Sequence, residues 1–291
     1  MKIGRSRTLQ SAKYLEKKRK RLLVTYSLIS FIVVVVIALM ILILRIPFFQ
    51  ISNVVVRGNT AVNTVELQNI ALNQLKGNYA LVIPKSNFIF YPKSSIEDVI
   101  YSSFPKIDRQ NIELDGINSI HIDVTERAPS ILVCDGYSDD GSDESCYFAD
   151  SSGFVYEKSP IFSENVYFKY FMNTSSSSVA IGSIFLNKDR FAKLQQFISE
   201  LNSTIIDATG LLIGDDGSYE LYIKNPDGSS GVVYFDDRTP LENTKSNLLV
   251  FWQNALDKKI GLTHMPSFEY VNLRFGKNIF YLIKTDNAKQ E

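Results

Sequence analysis

Few side chains in this sequence have the types and spacing that catalysis or metal binding requires. The two histidines, His121 and His264, have no Cys or His neighbours at metal-ligand spacing. The chain contains no G-x-S-x-G, Walker A or G-x-G-x-x-G motif, which would mark a nucleophile elbow or a phosphate cradle. We therefore predict no catalytic residue, no metal site and no cofactor, and we expect both histidines to have structural or surface roles.

Acidic residues cluster between positions 139 and 144, where their oxygens could suit Ca²⁺. The cluster lacks the alternating Asp spacing and the distal Glu of an EF-hand loop. Because such clusters arise readily in turns, we interpret this one as a solvated loop. The pairs Asp216-Gly217 and Asp227-Gly228 are interpreted as hairpin turns for the same reason.

The two cysteines, Cys134 and Cys146, end and begin two short apolar stretches on either side of this acidic loop. If these stretches are paired strands, the two thiols lie close together. A disulfide across the base of the loop is then one hypothesis, provided that the compartment is oxidising. The other is two free thiols, with one or both of them buried.

The stretch Leu22–Leu44 is uncharged and is rich in Leu, Ile and Val. As a helix it would be about 34 Å long, enough to cross a hydrocarbon core of about 30 Å. A cleaved signal peptide is the alternative, but its apolar core is usually about 7–15 residues and is followed by a small-x-small site, which is missing here. We predict a retained transmembrane helix.

Charge is distributed unevenly around this helix. Residues 1–21 contain nine basic side chains and one acidic one, so 9 − 1 = +8, and because the whole chain sums to zero the remainder carries −8. Short basic flanks stay on the cytoplasmic side, which predicts a cytoplasmic N-terminus and an extracytoplasmic C-terminal part. A basic run can also bind nucleic acid, but beside a membrane helix we favour orientation and attraction to the lipid bilayer, and we predict no nucleic-acid partner.

Residues 49–127 show the pattern of a small α+β domain. A strand ends at Gly58-Asn59, and a helix begins at the capping-box spacing of Asn63 and Glu66. A loop follows, and Ser94 with Glu97 has the spacing that opens a second helix. Two alternating stretches around Asp115-Gly116 then predict a β-hairpin. The order is strand, helix, helix, strand, strand, with both helices expected on one face of a three-stranded sheet.

Residues 128–285 are mostly β in pattern, with helices expected at about 187–201 and 239–258. The long run of strands predicts one large antiparallel sheet backed by these helices, and we interpret 175–178 as a flexible loop and 286–291 as a flexible tail. An open sheet has edge strands that can accept a strand from another chain, and the last hairpin is the natural candidate. The strands are expected at 130–134, 146–149, 153–157, 165–170, 204–213, 217–224, 230–235, 268–275 and 279–284.

Several of these segments, in this order behind one N-terminal helix, resemble the FtsQ/DivIB family of bacterial cell-division proteins over nearly the whole chain. The start of the family's POTRA domain is similar to F-x-I-x-x-V-x-V-x-G-N at 49–59, and its first helix to 63–75. Its proline and E-R-x-P exit resemble Pro105 and 124–129, the opening of its β domain resembles 147–156, and its late D-L-R strand resembles 271–274. The chain departs from the family at Asn272, where an acidic residue is usual, in the loop between the cysteines, and in a longer 79–91 segment.

The resemblance implies an α+β architecture of a cytoplasmic basic tail (1–21), a single transmembrane helix (22–44), a POTRA domain (49–127), a mostly antiparallel β domain (128–285) and a short tail (286–291). It also implies a non-enzymatic divisome protein at the septum of the plasma membrane, which binds FtsB/DivIC-like and FtsL-like coiled-coil proteins and other divisome proteins and regulates septal peptidoglycan synthesis. Carried over by position, a partner strand would meet Tyr270, Asn272, Arg274, Phe275, Phe280 and Tyr281. A second contact surface on the POTRA domain is expected at Arg57, Ser94 and Glu97.

Two other functions stay open from the residues alone. One is a membrane-anchored extracytoplasmic hydrolase or cell-wall enzyme, which the shortage of His and of any catalytic constellation disfavours. The other is a POTRA-bearing translocation component, which is disfavoured because no series of alternating segments long enough for a transmembrane barrel follows.

Overall fold

A computed structural model describes residues 12–80, 82–136, 145–162, 166–173, 179–204, 206–256, 266–276 and 278–284. The chain forms two compact units, one of residues 1–101 with 109–125 and the other of residues 102–108 with 126–291. The acidic loop at 139–144, the serines at 175–178, His264 and the tail at 286–291 lie outside the described residues. The protein is α+β, with one N-terminal apolar helix and a mostly sheet C-terminal body.

The N-terminal helix α1 spans Ala12–Leu44, so it begins well before the apolar run. Lys and Arg are good helix formers, which lets the basic residues continue the helix. The section Glu16–Leu44 is long and apolar enough to cross a membrane, as a single-pass anchor must be. From Leu22 onward only Ile41 and Leu44 are half-buried, and the other side chains of the helix are exposed.

The first unit contains a three-stranded sheet with the order β1-β5-β4, in which β1 runs parallel to β5. One face of the sheet is buried, since Ile120, Ile122 and Val124 alternate with more exposed residues along β5. Two helices complete the core and bury Leu67 and Ile100 among other residues. The elements are β1 (Asn53–Arg57), α2 (Thr64–Gln74), β2 (Asn78–Tyr79), β3 (Ile83–Pro84), α3 (Lys93–Ser103), β4 (Ile107–Asp115) and β5 (Ser119–Glu126).

Of the two helix starts predicted for this unit, one is confirmed and one is wrong. Asn63 caps α2 as predicted, since its Oδ1 accepts hydrogen bonds from the backbone N–H groups of Val65 (2.8 Å) and Glu66 (3.4 Å). Ser94 does not cap α3, and that prediction was wrong. The helix has already begun, because the Ile96 N–H donates to the carbonyl of Pro92 at 3.0 Å. The segment between the helices also contains the short antiparallel pair β2–β3, which the sequence did not predict.

The second unit is built on a nine-stranded sheet with the order β14-β13-β12-β11-β10-β9-β6-β7-β8. The prediction of one antiparallel sheet was wrong at three places, because β9 runs parallel to both β6 and β10, and β12 runs parallel to β13. The other pairings are antiparallel. The strands are β6 (Ile131–Asp135), β7 (Ser145–Ala149), β8 (Val155–Lys158), β9 (Lys169–Asn173), β10 (Asp207–Gly214), β11 (Ser218–Lys224), β12 (Ser230–Asp236), β13 (Phe268–Phe275) and β14 (Asn278–Ile283).

Helices α4 (Lys188–Asn202) and α5 (Leu241–Leu256) cover one face of this sheet. Their apolar side chains, such as Leu194 and Trp252, join the inward residues of the strands in one large core. The other face carries a smaller cluster centred on β6, β9 and β11, which includes Phe171 and Tyr222. The sheet therefore has its large core on one face and only a small cluster on the other.

A polar network holds residues 102–108 in the second unit, although the sequence placed them in the first domain. Arg127 donates from Nε to the Pro105 carbonyl (3.1 Å), and its Nη1 contacts carboxylate oxygens of Asp108 (3.0 Å) and Asp150 (2.5 Å). Its guanidinium also lies 4.3 Å from the centre of the Phe154 ring. The E-R-x-P segment and the turn at 150–153 therefore meet at this arginine.

Candidate partner-binding edge

Strand β14 forms one edge of the nine-stranded sheet, as predicted for the last hairpin. On the face opposite α4 and α5, the strand register aligns two rows of side chains that end at this edge. An edge strand has N–H and C=O groups that can pair with an added strand, while neighbouring side chains provide specificity. From interior to edge, one row is Glu220, Tyr234, Asn272 and Phe280, and the other is Tyr222, Val232, Tyr270 and Leu282.

The edge carries a concentration of exposed apolar side chains. Phe275 is 56% exposed and Phe280 is 52% exposed, and their ring centroids are 5.1 Å apart in an edge-to-face arrangement. Leu282 is also exposed, in the second row. Grouped apolar surface of this kind marks an interaction site more often than single exposed residues do.

Arg274 is positioned by its neighbours rather than extended into solvent. Its guanidinium lies 5.0 Å from the centre of the Tyr234 ring, and its Nε donates to Asn272 Oδ1 at 3.2 Å. Burial, with the nearby charge of Glu220, raises the pKa of the Tyr234 hydroxyl. The arrangement combines a fixed cation with a phenol beside the β14 edge.

The predicted partner residues do not all share one face. Tyr270, Asn272, Arg274 and Phe280 lie on the face away from the helices, whereas Tyr281 points to the helix face. Its ring centroid lies 5.1 Å from that of Phe251 in α5. Tyr281 therefore belongs partly to the core packing at the edge.

Sequence reasoning missed the side chain that holds the outer hairpin to the sheet. Asn225 is buried in the turn between β11 and β12, and its Nδ2 donates to the Phe268 carbonyl at 2.8 Å. Its Oδ1 accepts from the Phe268 N–H at 3.1 Å. Only the turn sequence Asn225-Pro-Asp-Gly marked this position, and it predicted a turn without revealing the partner 43 residues away.

Replacing Asn225 with alanine should lower the free energy of unfolding of the second unit by about 2–3 kcal/mol, since two buried backbone groups would lose their partners. Asp227→Ala, in the same turn but on the solvent side, should change it by less than about 1 kcal/mol. Denaturant unfolding followed by the fluorescence of Trp252, the protein's one tryptophan, measures both. Equal effects of the two substitutions would contradict the role of the Asn225 side chain.

The three residues expected on the first unit do not form one surface. Arg57 ends β1, at one edge of the three-stranded sheet, while β4 forms the other edge. Ser94 and Glu97 lie in α3, on the β4 side, since the Glu97 carbonyl accepts from Gln110 Nε2 at 2.7 Å. Glu97 also lies 3.9 Å from Lys93 Nζ.

Cys134 and Cys146 form a disulfide in the structure and lie directly opposite each other on β6 and β7. Cys134 is fully buried, and Cys146 is partly buried in the smaller cluster on the open face of the sheet. The bond joins the two strands at the base of the loop that carries the acidic residues.

A cleft of about 640 Å³ lies between α4 and α5. Two of the four carboxylates that line it have cationic partners, since Glu200 pairs with Lys245 and Asp237 lies 3.2 Å from Arg190. The hydrogen bond from Lys245 lowers the pKa of Glu200, and burial, with the hydrogen bond to Asp237, raises the pKa of Tyr219 to about 12. A carboxyl that acts as a general acid at neutral pH needs a raised pKa, and a tyrosine activated as a nucleophile needs a lowered pKa. The shifts of Glu200 and Tyr219 are in the opposite directions.

His121 contacts a single carboxylate, with Nε2 2.7 Å from Asp115 Oδ2 across the β4–β5 hairpin. Within the described ranges, no group of three or more His, Cys, Asp or Glu side chains is placed to hold a metal ion. Comparison with protein-family models gave no match to this chain. No curated protein matched it either.

Proposed function

We propose that this protein is a non-enzymatic, single-pass membrane scaffold of the bacterial division machinery, of the FtsQ/DivIB type. Its first unit would be a POTRA domain, and its second unit would present β14 to a strand of an FtsB/DivIC-like partner. An FtsL-like protein would join through the coiled coil of that partner. In this role the protein regulates septal peptidoglycan synthesis by placing its partners.

The observation that carries this proposal is the place of β14 at the edge of the sheet, where among the described strands it pairs only with β13, together with its two aligned rows of side chains. Main-chain hydrogen bonds to β14 would supply affinity. Phe280 and Leu282 end the two rows, so alternate side chains of an added strand would pack against them. Arg274 beside the edge would favour an acidic residue in the partner.

The N-terminal helix supports the membrane part of the proposal. The basic residues before it favour a cytoplasmic N-terminus, which would put the chain after Leu44 on the extracytoplasmic side. A disulfide between Cys134 and Cys146 fits an oxidising compartment on that side.

Phe280→Pro should weaken capture of the coiled-coil partner by at least about tenfold, because proline removes a backbone donor and disturbs the edge. The measurement is co-purification of the full-length chain with the FtsB/DivIC-like protein of the same organism. Glu157→Pro is a matched control, since it places proline in β8, at the opposite edge of the same sheet. Loss of capture with both variants, or with neither, would argue against strand addition at β14.

Fluorescence microscopy of a tagged chain in dividing cells tests the cellular role. We expect a band at midcell during constriction, which depends on the partner-binding edge. A uniform membrane signal would count against the division role and would favour the alternative of a membrane-anchored extracytoplasmic hydrolase.

A further inference from the structure

Residues 79–91 of the first unit are joined to the end of α1 by several hydrogen bonds. Asn87, fully buried, donates from Nδ2 to the Leu44 carbonyl at 3.0 Å, so it satisfies one of the last carbonyl groups of the helix. Arg45 donates from Nε to the Val82 carbonyl at 3.0 Å. The backbone continues the connection, because the Phe88 N–H donates to the Phe49 carbonyl at 3.1 Å.

This segment leaves large apolar side chains exposed beside the helix end. Phe48 is 67% exposed and Ile89 is 60% exposed, and Phe90 and Tyr79 are also exposed. We call these four residues the collar. Its position is fixed, since the Ile89 N–H donates to Asn87 Oδ1 at 3.0 Å.

The depth of the collar follows from the burial pattern of α1. Ile41 and Leu44, one turn apart, are half-buried, while their neighbours in the last turns are exposed. The 79–91 segment therefore lies beside the last turn of the helix rather than beyond its end. The apolar run from Leu22 to Leu44 is about 34 Å long and the hydrocarbon core is about 30 Å thick, so that turn reaches the interface with the headgroups.

Basic side chains surround the same site. Arg45 and Lys76 line an open polar cavity of about 720 Å³ next to the segment. Lys85 lies with Nζ 5.7 Å from the centre of the Tyr79 ring. A group of apolar and aromatic tips with cations at its border has the composition of a membrane-interface contact.

We propose that the collar inserts into the interface of the outer leaflet and gives the first unit a second membrane contact besides α1. The apolar side chains of the collar lie at the boundary between headgroups and acyl chains. Three basic side chains, those of Arg45, Lys76 and Lys85, face the lipid phosphates. Because Asn87 and Arg45 tie the collar to the helix, the contact fixes how the unit is oriented on the bilayer. This inference rests on the membrane anchoring in the proposed function and does not depend on any protein partner.

Depth-dependent fluorescence quenching of the full-length chain in phosphatidylcholine–phosphatidylglycerol vesicles tests the proposal. Phe90→Trp, made in a Trp252→Phe background, places the single indole in the collar. The emission of this indole should be blue-shifted. Lipids brominated near the headgroup should quench more than half of its intensity, and lipids brominated near the bilayer centre should quench less. The same variant with Trp252 retained, corrected for the native emission, repeats the measurement if the background change impairs folding.

Two further variants provide controls at known places. Ile37→Trp lies within α1, roughly 10 Å before Leu44, and should be quenched best by the deep bromines. Val65→Trp lies in the first turn of α2. That turn follows the end of β1 that points away from α1, so neither lipid should quench its emission.

The controls separate the possible failures. If Ile37→Trp is quenched and Phe90→Trp behaves like Val65→Trp, the collar faces water or a protein partner, and the proposal is overturned while the anchor stands. If Ile37→Trp is not quenched either, the helix does not enter the bilayer, and the proposed function fails together with the collar.

Discussion

Replacing Arg127 with methionine should lower the free energy of unfolding of the second unit by about 3–5 kcal/mol, because Asp150 would be left as an unpaired carboxylate in a largely buried site. The side chains of Arg127 and Asp150 are only 14% and 12% exposed. Methionine keeps much of the volume over the Phe154 ring but loses the hydrogen bond to Pro105. Denaturant unfolding of the full-length chain in detergent, followed by Trp252 fluorescence, measures the loss.

Lys106→Met is the matched control. Lys106 also forms an ion pair in this unit, since its Nζ lies 2.6 Å from Glu157 Oε2. The Glu157 side chain, however, is 44% exposed. Pairs of this kind contribute roughly 0–1 kcal/mol. A loss with Arg127→Met as small as that with Lys106→Met would show that the network is incidental to the fold.

The pH dependence provides a second readout of the same network. Burial alone would raise the pKa of Asp150, but hydrogen bonds from Ser152, Arg127 and the Phe154 N–H outweigh it and hold the pKa below the ordinary value of an aspartate. A carboxyl whose folded pKa is lowered stabilises the fold above its unfolded pKa, and this contribution is lost as the pH falls through the folded value. Between neutral pH and strongly acid pH, Asp150→Asn should therefore lose less stability than the native protein.

Replacing Gly58 with alanine should destabilise the first unit by at least about 3 kcal/mol, because a steric clash adds to backbone strain. Gly58 has φ +82°, and a Cβ atom there would lie 2.2 Å from the Val124 carbonyl oxygen. The backbone of β5 would have to move to accept it. Hydrogen exchange of β5 amides in the full-length chain, read by mass spectrometry, should show a large loss of protection.

Gly116→Ala separates the two causes. Gly116 also has a positive φ, +73°, in the β4–β5 turn, but nothing lies within 4 Å of its Cβ position. The expected loss is about 1–2 kcal/mol, from the backbone conformation alone. Equal loss of protection in the two variants would mean that the close approach to Val124 can relax without cost.

Local signals predicted the elements well where neighbours in sequence are also neighbours in space. The Asp-Gly turn between β4 and β5 and the cap at Asn63 depend on a few adjacent residues, and both appear in the structure. The hairpins β10–β11, β11–β12 and β13–β14 follow from alternation and turn residues in the same way. The position of β14 at the edge was therefore accessible from sequence order.

Pairings between distant strands could not be read in this way. An alternating pattern says which side chains face inward but does not name the neighbouring strand, so the parallel position of β9 was missed. The predicted bounds, 165–170, also lie before the observed strand, Lys169–Asn173, because Tyr167 continues the aromatic pattern of the strand. In the structure Tyr167 packs edge-to-face against Phe148, outside the strand. Asn225 and Arg127 are similar cases, since each is defined by partners far along the chain.

The place of β9 has a consequence for how the second unit folds. β6–β8 and β10–β12 can each form from consecutive strands, but they become one sheet only when β9 inserts in parallel between β6 and β10. Both insertions close long loops, and such closure is slow compared with hairpin formation. The two groups of strands should therefore form early and associate late, so the folding rate of this unit depends on β9.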